Sequence, residues 1–146
     1  MTIKMNEDTR VKMAVYGQKI EAIMQAIADY YKIPVSEIGT RKRVPGIVKA
    51  RRRVSFYVKE YIVNCPLGLV GYMINKKYPF DHASIISYNK KHRQEMNLKR
   101  RDGSYVYPEL QLEDFKIRAL IEKSLHNYKC GNWLEDFSVS SGNFLN

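Results

Sequence analysis

The chain has 146 residues, a hydrophobic content of 45% and a formal net charge of +10. This length and composition predict one folded domain with its own core. No apolar run reaches the roughly 18–20 residues of a membrane span, and the start, MTIKMNEDTR, lacks a signal-peptide core, which predicts a cytoplasmic protein. Cys65 and Cys130 form no CxxC pair, which favours reduced thiols over a metal site or a disulfide framework.

The positive charge is concentrated in the middle of the chain. Residues 41–101 contain sixteen Lys or Arg and three Asp or Glu, a net charge of +13, whereas residues 1–40 are neutral and residues 102–146 carry −3. A segment this basic repels itself unless a polyanion neutralises it. The alternative is a solubilising surface, but evenly spread lysines would fit that interpretation better.

The first helix is predicted from Gly17 to Tyr31, where apolar residues recur at steps of three and four. Residues 1–16 give a weaker helical signal and are predicted to form an N-terminal extension or helix. The segment Pro34–Ile38 is predicted to be a short turn that places Ile38 in the core. The basic loop that follows, residues 39–46, contains Pro45 and Gly46 as helix breakers.

A second strong helix is predicted from about Ile47 to Val63. Its apolar face contains Val54, Val58, Tyr61 and Ile62. Lys49, Arg52 and Arg53 are spaced i, i+3 and i+4, which predicts a separate cationic face. The contrast between the two faces is expected of a helix that packs on a core and exposes its other side to an anion.

Two further helices are predicted on either side of a polar loop, residues 76–80. The first, residues 67–75, would point Leu67, Val70 and Ile74 inward, with Gly71 allowing another helix to come close. The second would run to about Met96, with Asp81 at the N-cap position and Ile85 and Ile86 directed into the core.

The C-terminal part is predicted to contain one more helix, at about residues 108–126, after a loop with a turn at Asp102-Gly103. Its predicted apolar stripe is Leu112, Phe115, Ala119 and Leu120. No strand pattern is convincing, so the predicted fold is all-α. The predicted organisation is an N-terminal extension or helix (1–16), a central helical domain (17–97) and a C-terminal extension with that helix and a loose tail (98–146).

The two helices around residues 76–80 have the layout of a helix-turn-helix, in which the second helix enters the major groove. The predicted base-contacting residues are Asp81, His82, Ala83 and Ser84. His and Ser donate to guanine acceptors, Asp accepts from the cytosine amino group, and the Ala methyl suits contact with a thymine methyl. The alternative is a capped core helix with a solvated face.

Basic side chains around this motif are predicted to contact phosphates or the minor groove, which would give binding a steep salt dependence. His92 and Arg93, further along the same helix, are also predicted to meet phosphates. The predicted backbone or minor-groove set is Arg41, Lys42, Arg43, Lys49, Arg51, Arg52, Arg53, Lys76, Lys77, Lys90 and Lys91.

Residues 18–95 resemble the C-terminal DNA-binding domain of the bacterial replication initiator DnaA. The family signature Asp-His-Thr/Ala-Thr/Ser-Val/Ile is matched by Asp81-His82-Ala83-Ser84-Ile85. Upstream, the helix end Ala28-Asp29-Tyr30-Tyr31-Lys32-Ile33, the basic loop Thr40-Arg41-Lys42-Arg43 and the helix with Lys49, Arg51, Arg52, Lys59 and Glu60 also match.

The resemblance implies a helix-turn-helix bundle of the type found in Trp repressor and the DnaA C-terminal domain, here with an extra C-terminal helix. It implies binding to short AT-rich duplex boxes, with residues 81–84 in the major groove. Arg41 or Arg43 would enter the adjacent minor groove, because narrow AT-rich grooves attract arginine. The implied role is replication initiation or its regulation.

The chain also departs from that family. Phe80 stands where the family usually has Arg, the connection at residues 76–79 is longer than usual, and the family's usual minor-groove arginine aligns with Pro45. These differences concern sequence preference more than the mode of docking. No GxxxxGK[ST] loop is present, so we expect a stand-alone module without an ATPase domain.

Other classes of function are less well supported by the residues. His82, His92 and His126 form no HExxH motif, and Asp81 and His82 point apart as helix neighbours, so neither an enzyme nor a metal or cofactor site is predicted. The alternatives are a transcriptional regulator of a phage or mobile element and a non-specific nucleic-acid or RNA binder whose eleven tyrosines stack on bases.

The expected partner is double-stranded DNA, in the bacterial cytoplasm and associated with the nucleoid. The acidic segment 102–146 has three interpretations: it docks a protein partner, it folds back on the basic surface and competes with DNA, or its helix completes the core. The last is the simplest, because a helix with one apolar stripe normally buries that stripe in its own domain.

Overall fold

A computed structural model describes residues 7–62, 64–77 and 79–130, and these residues contain six helices. They are α1 (Glu7–Tyr31), α2 (Val35–Ile38), α3 (Pro45–Tyr61), α4 (Leu67–Ile74), α5 (His82–Asn97) and α6 (Pro108–Cys130). No strand is present in this part of the chain, only an isolated antiparallel bridge between Lys99 and Tyr105. The all-α prediction is therefore confirmed.

The first helix is longer than its apolar periodicity indicates. α1 begins at Glu7 and continues through Gly17 without interruption. It ends where Lys32 adopts a left-handed backbone conformation with φ of 58°. The Ile33 amide then donates to the Ala28 carbonyl at 3.0 Å and the Lys32 amide donates to Asp29 at 3.2 Å, a closing pattern that satisfies the last carbonyls of a helix.

α3 is the central helix and contacts α1, α2, α4 and α5. Its inward side chains, including Val54, Tyr57 and Val58, have no solvent exposure. Ile38 is equally buried, which confirms its predicted place in the core. None of the described helices is both long enough and apolar enough to cross a membrane.

The C-terminal helix belongs to this core. α6 runs antiparallel to α1, because the Tyr31 hydroxyl donates to Glu113 at 2.8 Å and the Ser124 hydroxyl donates to the Ala22 carbonyl at 3.0 Å. Ile117 and Ile121 of α6 are fully buried. The interpretation that this helix completes the core is confirmed.

Of the stripe predicted for that helix, Leu120 packs against the core, but the prediction is wrong for the other three residues. Leu112 and Phe115 are 55% and 72% exposed, and Ala119 is also exposed. The buried face instead contains Glu113, Ile117 and Ile121. Apolar spacing allowed either face, and the packing of Ile117 and Ile121 against the core decides which face is buried, with Glu113 paired on the same face.

α4 and α5 meet through a close approach of the chain that connects them. A Cβ at Gly71 would lie 2.3 Å from the Phe80 carbonyl oxygen, so this glycine allows the connecting loop to come close. The prediction that it admits another helix is wrong. The Phe80 amide also donates to the Gly71 carbonyl at 3.4 Å.

Of the two isoleucines predicted to anchor α5, Ile85 is buried but Ile86 is 53% exposed. The prediction is therefore wrong for Ile86, which lies on the adjacent face of the helix.

Candidate nucleic-acid interface

Arg51 turns toward the basic loop instead of toward solvent. Its guanidinium donates to the carbonyl of Ile38 at 3.2 Å, to that of Lys42 at 3.1 Å, and to that of Thr40. Burial lowers the pKa of Arg51, although a guanidinium stays protonated at any physiological pH. Arg51 is 8% exposed and its donors hold the backbone of the loop, so it does not lie on the exposed surface that its predicted phosphate contact requires.

The same side chain reaches the start of α5. The Arg51 Cζ atom lies 5.0 Å from the centroid of the Phe80 ring, a cation–π distance. Phe80 precedes Asp81 and contacts Gly71 of α4. Arg51 therefore places the basic loop and the first turn of α5 at the same end of the molecule.

Arg53 points into the protein on the opposite side of α3. Its Nε lies 2.8 Å from Glu113 of α6, and both side chains are about one-tenth exposed, at 9% and 10%. A buried charge is tolerated when it is paired and hydrogen-bonded, as here. The prediction that Arg53 lies on an exposed cationic face is therefore wrong, because α6 covers it.

Arg52 is exposed between these two buried arginines. Its Cζ atom lies 4.6 Å from the centroid of the Tyr88 ring of α5. Stacking on an aromatic face holds the guanidinium in one orientation while its N–H donors remain accessible. α5 is itself attached to α3 there, since Asn89 Nδ2 donates to the Ser55 carbonyl at 3.2 Å.

The first turn of α5 is accessible. Asp81, His82 and Ala83 are exposed and Ser84 is partly exposed. Asp81 occupies the N-cap position as predicted, but its carboxylate makes no capping hydrogen bond, so only its backbone carbonyl, accepting from Ile85 at 3.1 Å, closes the turn. This carboxylate and the amides of the first turn are thus available to a ligand.

His82 is placed by α4. Its Nε2 lies 3.2 Å from the position that a Cβ on Gly68 would occupy, so the imidazole lies over this glycine. The absence of a side chain at Gly68 makes room for the ring. The α4 helix thus supports the side chain that the sequence predicts to contact a base edge.

The remaining predicted cations differ in their partners. Lys42 is ion-paired with Glu37 at 2.9 Å, although it is exposed. Within the described ranges, no carboxylate pairs with Lys49, Lys90 or Lys91. The other predicted cations are also exposed: Arg41, Arg43, Lys76 and Lys77.

Two residues of α5 predicted to meet phosphates do not have that environment. His92 is 4% exposed and packs edge-on against Phe56, with ring centroids 4.6 Å apart. Burial, together with the charge of Arg53, lowers its pKa to about 4. Arg93 is exposed but donates to Glu60 at 2.8 Å, so it is neutralised within the protein.

A polar network between α3 and α6 was not anticipated. Tyr57 donates to Asp114 at 2.5 Å, and Arg118 bridges Asp114 at 2.9 Å and Glu60 at 3.1 Å. Burial opposes ionisation of Glu60, but hydrogen bonds from Arg93 and Arg118 lower its pKa overall. The contacts between α3 and α6 join residues 57 and 58 positions apart in the chain, and only the net acidity of residues 102–146 indicated that α6 could supply their acidic partners.

Comparison with other proteins adds no relative: no protein-family model, curated protein or solved structure matches this chain. Among the described residues, no group of three or more His, Cys, Asp or Glu side chains is arranged to hold a metal ion.

Proposed function

We propose that this protein is a sequence-specific duplex DNA-binding protein that uses α4 and α5 as a helix-turn-helix. In this proposal it is related to the DnaA C-terminal DNA-binding domain and acts by binding, without catalysis, in replication initiation or its regulation. The first turn of α5, with Asp81, His82, Ala83 and Ser84, enters the major groove. The basic loop lies against the adjacent backbone or minor groove.

The observation that carries the proposal is the position of Arg51. One side chain bonds the carbonyls of the basic loop and stacks on Phe80, immediately before α5. The loop and the helix start are therefore neighbours on one surface. A module that contacts both a major groove and the next backbone or minor-groove segment requires such an arrangement.

Exposed cations extend this surface on both sides. Lys90 and Lys91 on α5 and Lys49 and Arg52 on α3 supply phosphate contacts, and Lys76 and Lys77 lie in the turn before α5. Arg51 and Arg53 are left out of this set because they are buried. Phosphate contacts position the protein without selecting sequence, whereas contacts from α5 select it.

The direct test is selection of bound sequences from a random duplex library at near-physiological salt. The proposal expects enrichment of one short motif; an AT-rich box would support the relationship with the initiator family. An unrelated motif would retain the helix-turn-helix and remove that relationship. Binding without enrichment would contradict sequence-specific recognition and leave only a charge-driven nucleic-acid binder.

A further inference from the structure

A groove of about 400 Å³ lies between the first turns of α3 and the middle of α5. It is separate from the first turn of α5. Arg43, Lys49, Arg52 and Lys91 line its rim, and all four are exposed. Four cations at the mouth of one concavity create a local positive potential that attracts anions.

The floor of the groove contains two buried polar side chains. Arg53 and His92 both line it and are 8% and 4% exposed. Arg53 uses its Nε for Glu113. Neither ring nitrogen of His92 has a hydrogen-bond partner within the described part of the chain. Because buried polar groups are nearly always hydrogen-bonded, we expect the His92 imidazole to bond a group from outside the protein.

The chemistry of the floor indicates what that partner is. With its pKa lowered to about 4, His92 is neutral near pH 7 and has one N–H to donate. Both ring nitrogens are buried at the floor of the groove. An oxygen atom of an anion would be attracted by the exposed cations at the rim and would accept the N–H.

The start of α3 adds to this potential. α3 begins at Pro45, which also lines the groove, and no side chain caps its first turn. The positive end of the helix dipole therefore lies at one end of the groove. Among the described residues on the lining, Glu95 is the one carboxylate and five are Lys or Arg, so the groove has a clear cationic excess.

We propose that this groove is a binding site for a single phosphate group, held at the rim by Arg52, Lys49 and Lys91 and at the floor by the His92 N–H. Tyr88, which stacks on Arg52, keeps the guanidinium at the rim. The identification of the source rests on the proposed function: if that function is correct, the phosphate belongs to the DNA backbone beside the segment that α5 contacts. The site itself requires only a phosphate of suitable size.

The test is a titration of the full chain with inorganic phosphate, at constant ionic strength maintained with chloride. It is followed through the imidazole nitrogen signals of His92 and the backbone amides of α3 and α5. Saturable shifts at the groove residues are expected. Arg52→Gln and Lys91→Gln should each weaken phosphate binding by about tenfold, the effect of losing one charge-assisted hydrogen bond. Lys116→Gln, on the exposed side of α6, removes the same charge elsewhere and should leave phosphate affinity unchanged.

Unsaturable shifts, or equal losses with Lys116→Gln, would overturn the site and reduce it to a diffuse positive surface. An unmoved His92 signal during saturable binding would overturn the role of its N–H. A second arm adds duplex DNA to the phosphate-loaded protein. Displacement of phosphate supports the backbone as its source, whereas joint binding contradicts that source and identifies a small phosphate ester. Saturable phosphate binding by a protein that enriches no DNA motif would retain the site although the proposed function had failed.

Discussion

The basic side chains on the two sides of α3 differ in whether they have acidic partners. Toward α6, Arg53 meets Glu113, and Arg118 of α6 itself bridges Glu60 and Asp114, so each cation has an acidic partner. Toward α5, Lys49 and Lys91 have no carboxylate partner in the described residues, and Arg52 stacks on an aromatic ring. The first side neutralises its cations inside the protein; on the second, Arg93 pairs with Glu60 but Lys49, Arg52 and Lys91 keep their charge at the exposed surface.

This difference shows that charge alone does not define a binding surface. Arg52 and Arg53 are neighbours in sequence, yet one is exposed and the other is covered by α6. Variants on the α6 side should therefore change folding stability. Variants on the α5 side should change binding, and the following experiments can break or sharpen this division.

The largest expected effect is on the α6 side. Glu113→Ala would leave Arg53 buried without its partner and remove the acceptor of the Tyr31 hydroxyl. We expect a loss of about 3–5 kcal/mol in the free energy of unfolding, measured by urea denaturation. Glu21→Ala, an exposed acid on α1, should change it by less than about 0.5 kcal/mol.

A double variant separates pairing from packing at that site. Arg53→Met combined with Glu113→Leu replaces the ion pair with apolar groups and should recover much of the lost stability. If Glu113→Ala alone were as stable as the wild type, the pair would not be a buried structural element, and the contrast between the two sides of α3 would fail.

The next expected effect is a dependence of stability on pH. Burial lowers the pKa of His92 to about 4 in the folded protein, below the unperturbed value of 6.5. The unfolded chain therefore binds more protons between these values. The stability that the protein gains by keeping His92 neutral is fully present above pH 6.5 and is lost as pH falls toward about 4. Urea midpoints should decrease as pH falls across that range, and His92→Leu should flatten this part of the stability–pH profile. If His92→Leu kept the wild-type profile, His92 would not be the group responsible.

The junction of α4 and α5 can be tested with a pair of glycines. Gly71→Ala would place a Cβ 2.3 Å from the Phe80 carbonyl oxygen, so the loop must shift. We expect a destabilisation of about 1–3 kcal/mol, since backbone displacement accompanies such overpacking. Gly46→Ala, in the first turn of α3, has no atom within 4 Å of its new Cβ and should be neutral or slightly stabilising. Equal effects would show that the close approach is unimportant.

The first turn of α5 should change sequence discrimination without changing stability. His82→Ala is expected to cost about 1–3 kcal/mol of binding free energy on the selected duplex and little on random DNA, measured by fluorescence anisotropy. Gln94→Ala, exposed further along α5, is the control and should bind both duplexes as the wild type does. An equal loss on both duplexes would contradict base recognition by His82.

The smallest expected effect is a loss of affinity that is the same for every DNA sequence. Arg52→Ala should weaken binding to all duplexes alike and reduce the slope of log affinity against log salt by about 1, because one phosphate contact is lost. Lys116→Ala on α6 should leave the slope unchanged. A stability loss in Arg52→Ala as large as that in Glu113→Ala would break the division between the two sides of α3.

Local sequence rules predicted much of the helical framework. Periodic apolar residues located α3 and α4, and Pro66 and Pro79 mark the breaks around α4. Asp81 identified the start of α5, because an acidic residue before a helix is favoured at its N-cap. The same rules chose the wrong face of α6, where Leu112 and Phe115 matched the spacing but Ile117 and Ile121 are buried.

By itself, the sequence determined approximately where the longer helices form, apart from the start of α1, and that the positive charge lies between residues 41 and 101, because both follow from residue type and spacing. Only the tertiary structure decided which arginine faces solvent. Successive residues on a helix point about 100° apart, so Arg51, Arg52 and Arg53 face three different surroundings. Those surroundings are the basic loop, Tyr88 of α5 and Glu113 of α6, and long-range packing alone brings the two helices to α3.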